Sequence, residues 1–206
     1  MQHANVNLSE KELQLVANTE IILTKNIIIQ KVYQLFGIVS NQYKTILDDR
    51  QKIPAEVLVN SPKIYKGENY HGLPYVMLDY PRFFNKSDAM SIRSFFWWGN
   101  FFSITIHLSG KYKINFLNGI MQYINTHAQN DWFICINEDQ WQHHFENGNY
   151  IACNAFNGGY EMMENFLTEH SFIKLSKKMD VKNWSEAQPF FKNNFEEILN
   201  MLSVNC

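Results

Sequence analysis

Residues 91–110 read SIRSFFWWGNFFSITIHLSG, and this stretch decides the fold class. Two runs rich in aromatic and β-branched residues flank Gly99-Asn100, a composition typical of β-strands. Glycine and asparagine tolerate the positive φ angles that two-residue hairpin turns require. The stretch therefore predicts an antiparallel hairpin, with strands at Ser91–Trp98 and Phe101–Leu108.

A two-residue turn at Gly99-Asn100 would place Trp98 opposite Phe101, and directly opposed residues point to the same face. Continuing this register outward divides the hairpin into two faces. The first is a core face with a single charge, and it holds Phe95, Trp97, Phe102, Ile104, Ile106, Leu108 and Arg93. The second holds Trp98, Phe96, Phe101, Ile92, Ser94, Ser103, Thr105 and His107. A slip of one residue on one strand would mix the two sets.

The second face combines an aromatic end with small hydroxyl groups and one histidine. Apolar walls with a few convergent polar groups are typical of small-molecule pockets, so this face predicts a ligand site. The alternative is that helices cover this face and that its hydroxyls bond to nearby backbone. The loop before the hairpin, with His71 and Arg82, is expected to border the site. The predicted ligand-binding residues are Trp98, Phe96, Phe101, Ser94, Ser103, Thr105, His107, His71 and Arg82.

The first 48 residues are predicted to form a helical N-terminal segment. Ser9 and Glu12 match the S-x-x-E capping box, in which two side chains satisfy free backbone N–H groups at a helix start. An apolar stripe follows at helical spacing, formed by Ile28, Val32, Leu35, Val39 and Ile46. This stripe either packs on the chain's own domain or forms the seam of a homodimer through helix 28–46.

Residues 49–74 are predicted to form a long irregular loop, because three prolines and two glycines interrupt any regular pattern. Apolar spacing beyond the hairpin predicts helices at 114–127, 161–170 and 189–202, and short strands at 132–136, 150–156 and 172–175. This order of elements predicts one α+β domain spanning residues 1–206. Its largely antiparallel sheet would be built around hairpin 91–108, with the N-terminal helices and further helices packed on it.

Composition narrows the classes of function. The chain has 206 residues and a formal net charge of −2, which gives no electrostatic reason to expect nucleic acid or an anionic membrane as partner. Its most apolar windows are shorter than the roughly 20 residues that span a bilayer. Cys135, Cys153 and Cys206 are widely spaced, which disfavours a disulfide framework or a zinc site and favours a reducing cytoplasm.

The segment WQHHFE at 141–146 is interpreted as an exposed polar helix end, since neighbouring histidines on a helix diverge by about 100° and rarely share one metal. No metal site is predicted, and no motif identifies a cofactor. The leading hypothesis is a cytoplasmic small-ligand-binding domain. One alternative is a histidine- or metal-dependent enzyme centred on His107, because imidazole titrates near neutral pH. The other is a dimeric interaction module that associates through helix 28–46.

Overall fold

The computed structural model describes residues 6–48, 53–127, 131–146 and 148–203. These ranges form six α-helices and seven β-strands, with short 3₁₀ turns at Cys153–Ala155 and Val181–Glu186. The helices are α1 (Glu10–Ala17), α2 (Thr19–Asp48), α3 (Ala55–Leu58), α4 (Lys111–Thr126), α5 (Gly159–Glu169) and α6 (Ala187–Met201). The strands are β1 (Lys63–Tyr70), β2 (Leu73–Phe84), β3 (Ala89–Trp97), β4 (Phe101–Ser109), β5 (Phe133–Cys135), β6 (Tyr150–Ala152) and β7 (Phe172–Asp180).

The seven strands form one sheet in the order β1-β2-β3-β4-β7-β5-β6. Every pair of neighbours is antiparallel. The hairpin formed by β3 and β4 lies in the middle, and β7 inserts between β4 and β5. The α+β class with an antiparallel sheet built around this hairpin is therefore confirmed.

Helices cover one face of the sheet, which we call the helix face. Helices α2, α4 and α6 pack there against aliphatic and aromatic side chains of the central strands. Tyr43 of α2 stacks on Phe195 of α6 with ring centroids 3.7 Å apart, and its hydroxyl lies 2.9 Å from Ser94 Oγ of β3. Among the helices of the described ranges, none has the length and hydropathy of a membrane-spanning segment.

Helix α2 turns its apolar stripe towards this core. Val32 and Val39 are fully buried, and Leu35 and Ile46 pack against the same cluster. The predicted capping box before α1 is confirmed, since Ser9 Oγ accepts from Glu12 N–H and the Glu12 carboxylate accepts from Ser9 N–H. The stripe thus packs on the chain's own domain, and a homodimer through helix 28–46 stays a prediction.

The expected irregular loop at 49–74 is wrong over most of its length. Within its described part, α3 is a short helix, and Lys63–Tyr70 forms the edge strand β1, which pairs with β2. Lys63, Lys66 and Glu68 give β1 a polar sequence that resembles a loop. Charged side chains are common on edge strands because they oppose pairing with other chains.

The register of the β3–β4 hairpin differs from the predicted one by one residue. Trp97 pairs with Phe101 across the three-residue loop 98–100, whereas the prediction paired Trp98 with Phe101. Asn100 N–H donates to Trp97 O at 3.0 Å, and Gly99 takes the positive φ of 72° within this loop. Because strand side chains alternate, one residue of slip moves every β3 side chain to the face opposite the predicted one.

The observed register removes a charge from the helix face. In the predicted pairing, Arg93 would lie among aliphatic side chains, where an unpaired charge costs several kcal/mol. In the observed pairing, Ile92 joins the aliphatic core and Arg93 lies beside Asp79 on the opposite face. Phe96 and Ser94, which were predicted to share a face with His107, lie on the helix face as a result.

The second face of the sheet is covered by a connection between two strands. Residues 136–146, 148 and 149, which we call the cover segment, come between β5 and β6 in the chain and lie across β3 and β4. The Phe145 ring is 5.1 Å from the ring of Phe101, and the His143 ring is 5.3 Å from that of Phe95. The alternative that helices cover the predicted ligand face therefore holds for its β3 residues, such as Ile92 and Phe96, but not for its β4 residues.

Candidate functional site

Four of the predicted site residues share the second face of the sheet. Phe101, Ser103, Thr105 and His107 alternate along β4, and each is buried beneath the cover segment or beside β7. Their partners on β3 complete the same face, and these are Trp97, Phe95, Arg93 and Ser91. The predicted combination of aromatic rings, hydroxyls and one histidine therefore exists, although β3 supplies different residues to it.

The remaining predicted site residues lie elsewhere. Trp98 is in the hairpin loop and packs, half-buried, against the core of the helix face. His71 is exposed in the turn between β1 and β2, where its ring lies 4.7 Å from that of His144. The Arg82 Nε–H donates to Ser61 O at 3.1 Å. The structure thus brings together the β4 residues of the prediction but not Trp98, Phe96, Ser94 or Arg82.

A buried ion pair lies at the centre of the second face. Arg93 binds Asp79 through two bonds, Nε to Oδ1 at 2.7 Å and Nη2 to Oδ2 at 2.9 Å. The Tyr65 hydroxyl donates to Asp79 Oδ2 at 3.3 Å. A bidentate geometry of this kind satisfies both charged groups, which a buried pair requires.

Arg93 also fixes the proton position on His143. Arg93 Nη1 lies 3.2 Å from His143 Nε2, and a guanidinium only donates, so Nε2 is the acceptor in a neutral ring. Burial and the charge of Arg93 hold the pKa of His143 well below its ordinary value. The histidine that was expected on an exposed helix end therefore lies buried in an irregular segment, hydrogen-bonded to a buried cation.

The cover segment is fastened to the sheet by three further groups. Lys174 of β7 donates from Nζ to Gln140 O at 2.9 Å and to Gln142 O at 2.6 Å. The Tyr70 hydroxyl accepts the backbone N–H groups of His143 and His144. The His107 Nε2–H donates to Gln140 Oε1 at 2.9 Å. These hydrogen bonds hold residues 140–144 against the second face of the sheet.

The second face of the sheet carries an excess of positive charge. Among the buried charged residues of the described ranges, Arg93 and Lys174 are cations and Asp79 is the carboxylate. Burial lowers the pKa of Lys174 to about 8, and burial together with the charges of Lys174 and Arg93 lowers the pKa of His107 to about 3. At neutral pH, His107 is therefore an uncharged hydrogen-bond donor and a weak base. A general base works best with a pKa near the working pH, so this arrangement does not favour the enzyme hypothesis.

A cleft opens beside His107 at the edge of the cover segment, with a volume of about 280 Å³. Aromatic rings form its walls, with Trp141 at 5.6 Å, Phe172 at 5.9 Å and Phe84 at 6.3 Å from the His107 ring. Trp141 is 50% exposed. Small polar groups and one cation complete the lining, namely Asn85, Lys86, Ser87, Ser109, Gln140 and Ser171.

The described residues contain no group of three or more histidine, cysteine or acidic side chains placed to hold a metal ion. The Nε2 atom of His143 already accepts a hydrogen bond from Arg93. Sequence reasoning missed Lys174 and Trp141 as members of the site. The lone Arg93 on a predicted core face was the available signal, since a charge in such a position needs a buried partner.

Comparisons of the chain with family models, with curated proteins and with solved structures found no match. Function is therefore inferred from the geometry of the second face and of the cleft beside it.

Proposed function

We propose that the protein is a small-ligand-binding domain whose ligand occupies the cleft between Trp141, Phe84 and Phe172. The observation that carries this proposal is the half-exposed Trp141, which stands at the mouth of an aromatic-walled cleft directly beside the buried His107. A large aromatic side chain that remains exposed beside polar groups is typical of a binding surface.

The cleft favours a small, flat ligand with at least one hydrogen-bond acceptor. Its volume of about 280 Å³ lies just below the ~300–1,000 Å³ range of most ligand pockets. Trp141 and Phe84, with ring centroids 6.1 Å apart, can both contact one side of a flat ring. An acceptor atom that displaces Gln140 Oε1 would take the Nε2–H of His107. The lining includes Lys86 and no acidic residue, so neutral or anionic ligands fit better than cations.

Mass spectrometry of the protein purified from its host under native conditions tests whether a small molecule co-purifies. Thermal shift and tryptophan fluorescence with benzoate, nicotinamide, uracil and adenine then test the proposed ligand class. Trp141→Ala should weaken the binding of any responding compound at least tenfold, because it removes one wall of the cleft. Tenfold corresponds to about 1.4 kcal/mol of binding free energy.

Trp98→Ala is the matched control, because Trp98 was predicted at the ligand site but lies in the hairpin loop, packed against the helix face. This variant should leave the affinity unchanged. A purified protein without a bound molecule, with no response to any compound, would contradict the proposal. Equal losses in the two variants would exclude the cleft as the binding site.

We also propose a cytoplasmic location. Cys135 and Cys153 are free and buried, and burial raises the pKa of both thiols, so neither is poised for oxidation. Free cysteines are typical of reducing compartments. Cell fractionation with an antibody against the chain tests this location, and recovery from an oxidising compartment would contradict it.

A further inference from the structure

The N-terminal arm, residues 6–28, presents an apolar surface that the rest of the described chain does not cover. Helix α1 has no buried residue, and the first buried residue of α2 is Ile29. Large apolar side chains of the arm are between 44% and 84% exposed, and these are Val6, Leu8, Leu13, Leu15, Val16, Ile21, Ile22, Leu23 and Ile27. Elsewhere in the described chain, exposed large apolar residues are single, as Ile38 and Ile114 are, or form the pair Phe84 and Trp141 at the cleft.

The size of this surface is unusual for a monomer. These nine residues together expose an area on the order of 900 Å², which is comparable to the ~800 Å² that each partner contributes to a standard protein interface. Monomeric proteins rarely expose continuous apolar patches larger than ~300–600 Å².

The length of α1 gives a second argument. This helix has eight residues, and isolated helices shorter than about 12–15 residues are marginal in water. Its capping box satisfies the first N–H groups but adds no tertiary contact. Packing of its apolar side chains against a partner would stabilise a helix of this length.

The arm is shaped as a groove. Asn18 adopts an extended backbone between α1 and α2, and the resulting bend encloses an open cleft of about 1080 Å³. Its apolar lining is formed by Leu8, Leu15, Val16, Ile21, Ile22 and Leu23. Grooves of this kind accept an amphipathic helix from a partner protein.

The charges of the arm disfavour a membrane as the partner. The arm has three acidic residues, Glu10, Glu12 and Glu20, and two lysines, Lys11 and Lys25. The Lys25 ammonium already forms an ion pair with Glu68, with Nζ 2.6 Å from Oε2. Helices that lie on membrane surfaces are usually rich in lysine and arginine, because most membranes carry anionic lipids. A second copy of the chain, by contrast, presents an equal apolar area and needs no cationic surface.

We propose that two copies of this chain form a symmetric dimer in which their N-terminal arms pack together around a twofold axis, with helix α1 of each copy in the groove of the other. Each copy would supply the apolar cover that the other lacks. This interface is distinct from the seam considered for helix 28–46, whose residues face the chain's own sheet. It is also independent of the ligand cleft.

Sedimentation velocity of the full chain between 1 and 100 µM tests the proposal, with a species of twice the 24.3 kDa chain mass as the expected result. Leu15→Glu with Ile22→Glu should weaken dimerisation at least 100-fold. Both residues are more than half exposed, so the unfolding transition of the monomer in urea should not change.

The matched control is Ile38→Glu with Ile114→Glu, which places the same charges on exposed apolar residues outside the arm. This variant should remain dimeric. A monomeric wild type at 100 µM would overturn the proposal, and so would a dimer that survives the arm substitutions. Co-sedimentation of the wild type with vesicles of phosphatidylcholine and phosphatidylglycerol, lost in the arm variant, would instead identify a membrane as the partner.

Discussion

The two faces of the sheet are built from the same strands but are stabilised by different interactions. On the helix face, Ile92, Ile104 and Ile106 pack against three helices, so stability there depends on shape and apolar area. On the second face, Asp79, Arg93 and Lys174 are buried under an irregular segment, and stability depends on satisfied charges and hydrogen bonds. The first kind of packing tolerates many sequences of similar volume, whereas the second requires particular partners.

The largest expected effect comes from breaking the buried ion pair. Asp79→Leu leaves Arg93 charged and without its carboxylate, so the free energy of unfolding should fall by about 3–5 kcal/mol. Adding Arg93→Met should restore most of that loss, because the pair is then replaced by apolar groups of similar volume. Urea unfolding monitored by circular dichroism measures both variants.

Substitutions on the helix face provide the control for the Asp79 and Arg93 variants. Ile104→Ala should lose about 2–5 kcal/mol through the cavity it creates. Adding Ile106→Ala should lose more, since neither residue can compensate for the other. If the Asp79→Leu/Arg93→Met protein were no more stable than Asp79→Leu alone, the two faces would not differ in the way described.

An intermediate effect should appear in acid. The folded state holds the pKa of His107 at about 3, against about 6.5 when unfolded, because the ring is buried near the cations Lys174 and Arg93. The unfolded chain therefore binds the proton first, and stability that is present above pH 6.5 is lost as the pH falls towards 3. Between pH 7 and pH 5, the wild type should lose about 2 kcal/mol more than His107→Gln does.

Unfolding in urea at several pH values measures this difference. His143 also has a lowered pKa, so the His107→Gln protein should keep part of the pH dependence. Parallel stability curves for the wild type and His107→Gln would show that His107 binds protons equally in the folded and unfolded states.

The smallest expected effect compares one hydroxyl on each face. On the second face, Thr105 Oγ1 lies 2.8 Å from Ser176 Oγ. On the helix face, Ser94 Oγ lies 2.9 Å from the Tyr43 hydroxyl oxygen. Thr105→Val and Ser94→Ala should each cost about 0.5–1.5 kcal/mol. Thermal unfolding measures both, and a loss well above this range for Thr105→Val alone would show that the second face is more tightly coupled than its pairwise contacts indicate.

The fold class could be predicted from sequence because its signals are local. The capping box at Ser9, the apolar stripe of α2 and the paired strands around Gly99 each reflect spacing within one element. The hairpin register could not be predicted, because turns of two and three residues both accept Gly99. The burial of Arg93 beside Asp79 supplies the reason for the observed register, and that contact joins two strands.

The candidate site could be predicted only in part for the same reason. Alternation along β4 placed Thr105 and His107 on one face correctly. The cover segment has no apolar periodicity, and it is held by Lys174 and Tyr70, which are distant from it in sequence. Contacts of that range leave no repeating pattern in a single sequence, so the expectation of an exposed helix at 141–146 was wrong.

The central position of β7 has a consequence for synthesis of the chain on the ribosome. The β4 edge, Phe101–Ser109, has its partner in Phe172–Asp180, which is translated about 60 residues later. At about 5–20 residues per second, the nine-residue edge of β4 waits roughly 3–12 s for its partner. During that interval, the unpaired edge of β4 is exposed to other nascent chains on the same messenger RNA. We therefore expect chaperones to bind β4 before β7 is synthesised.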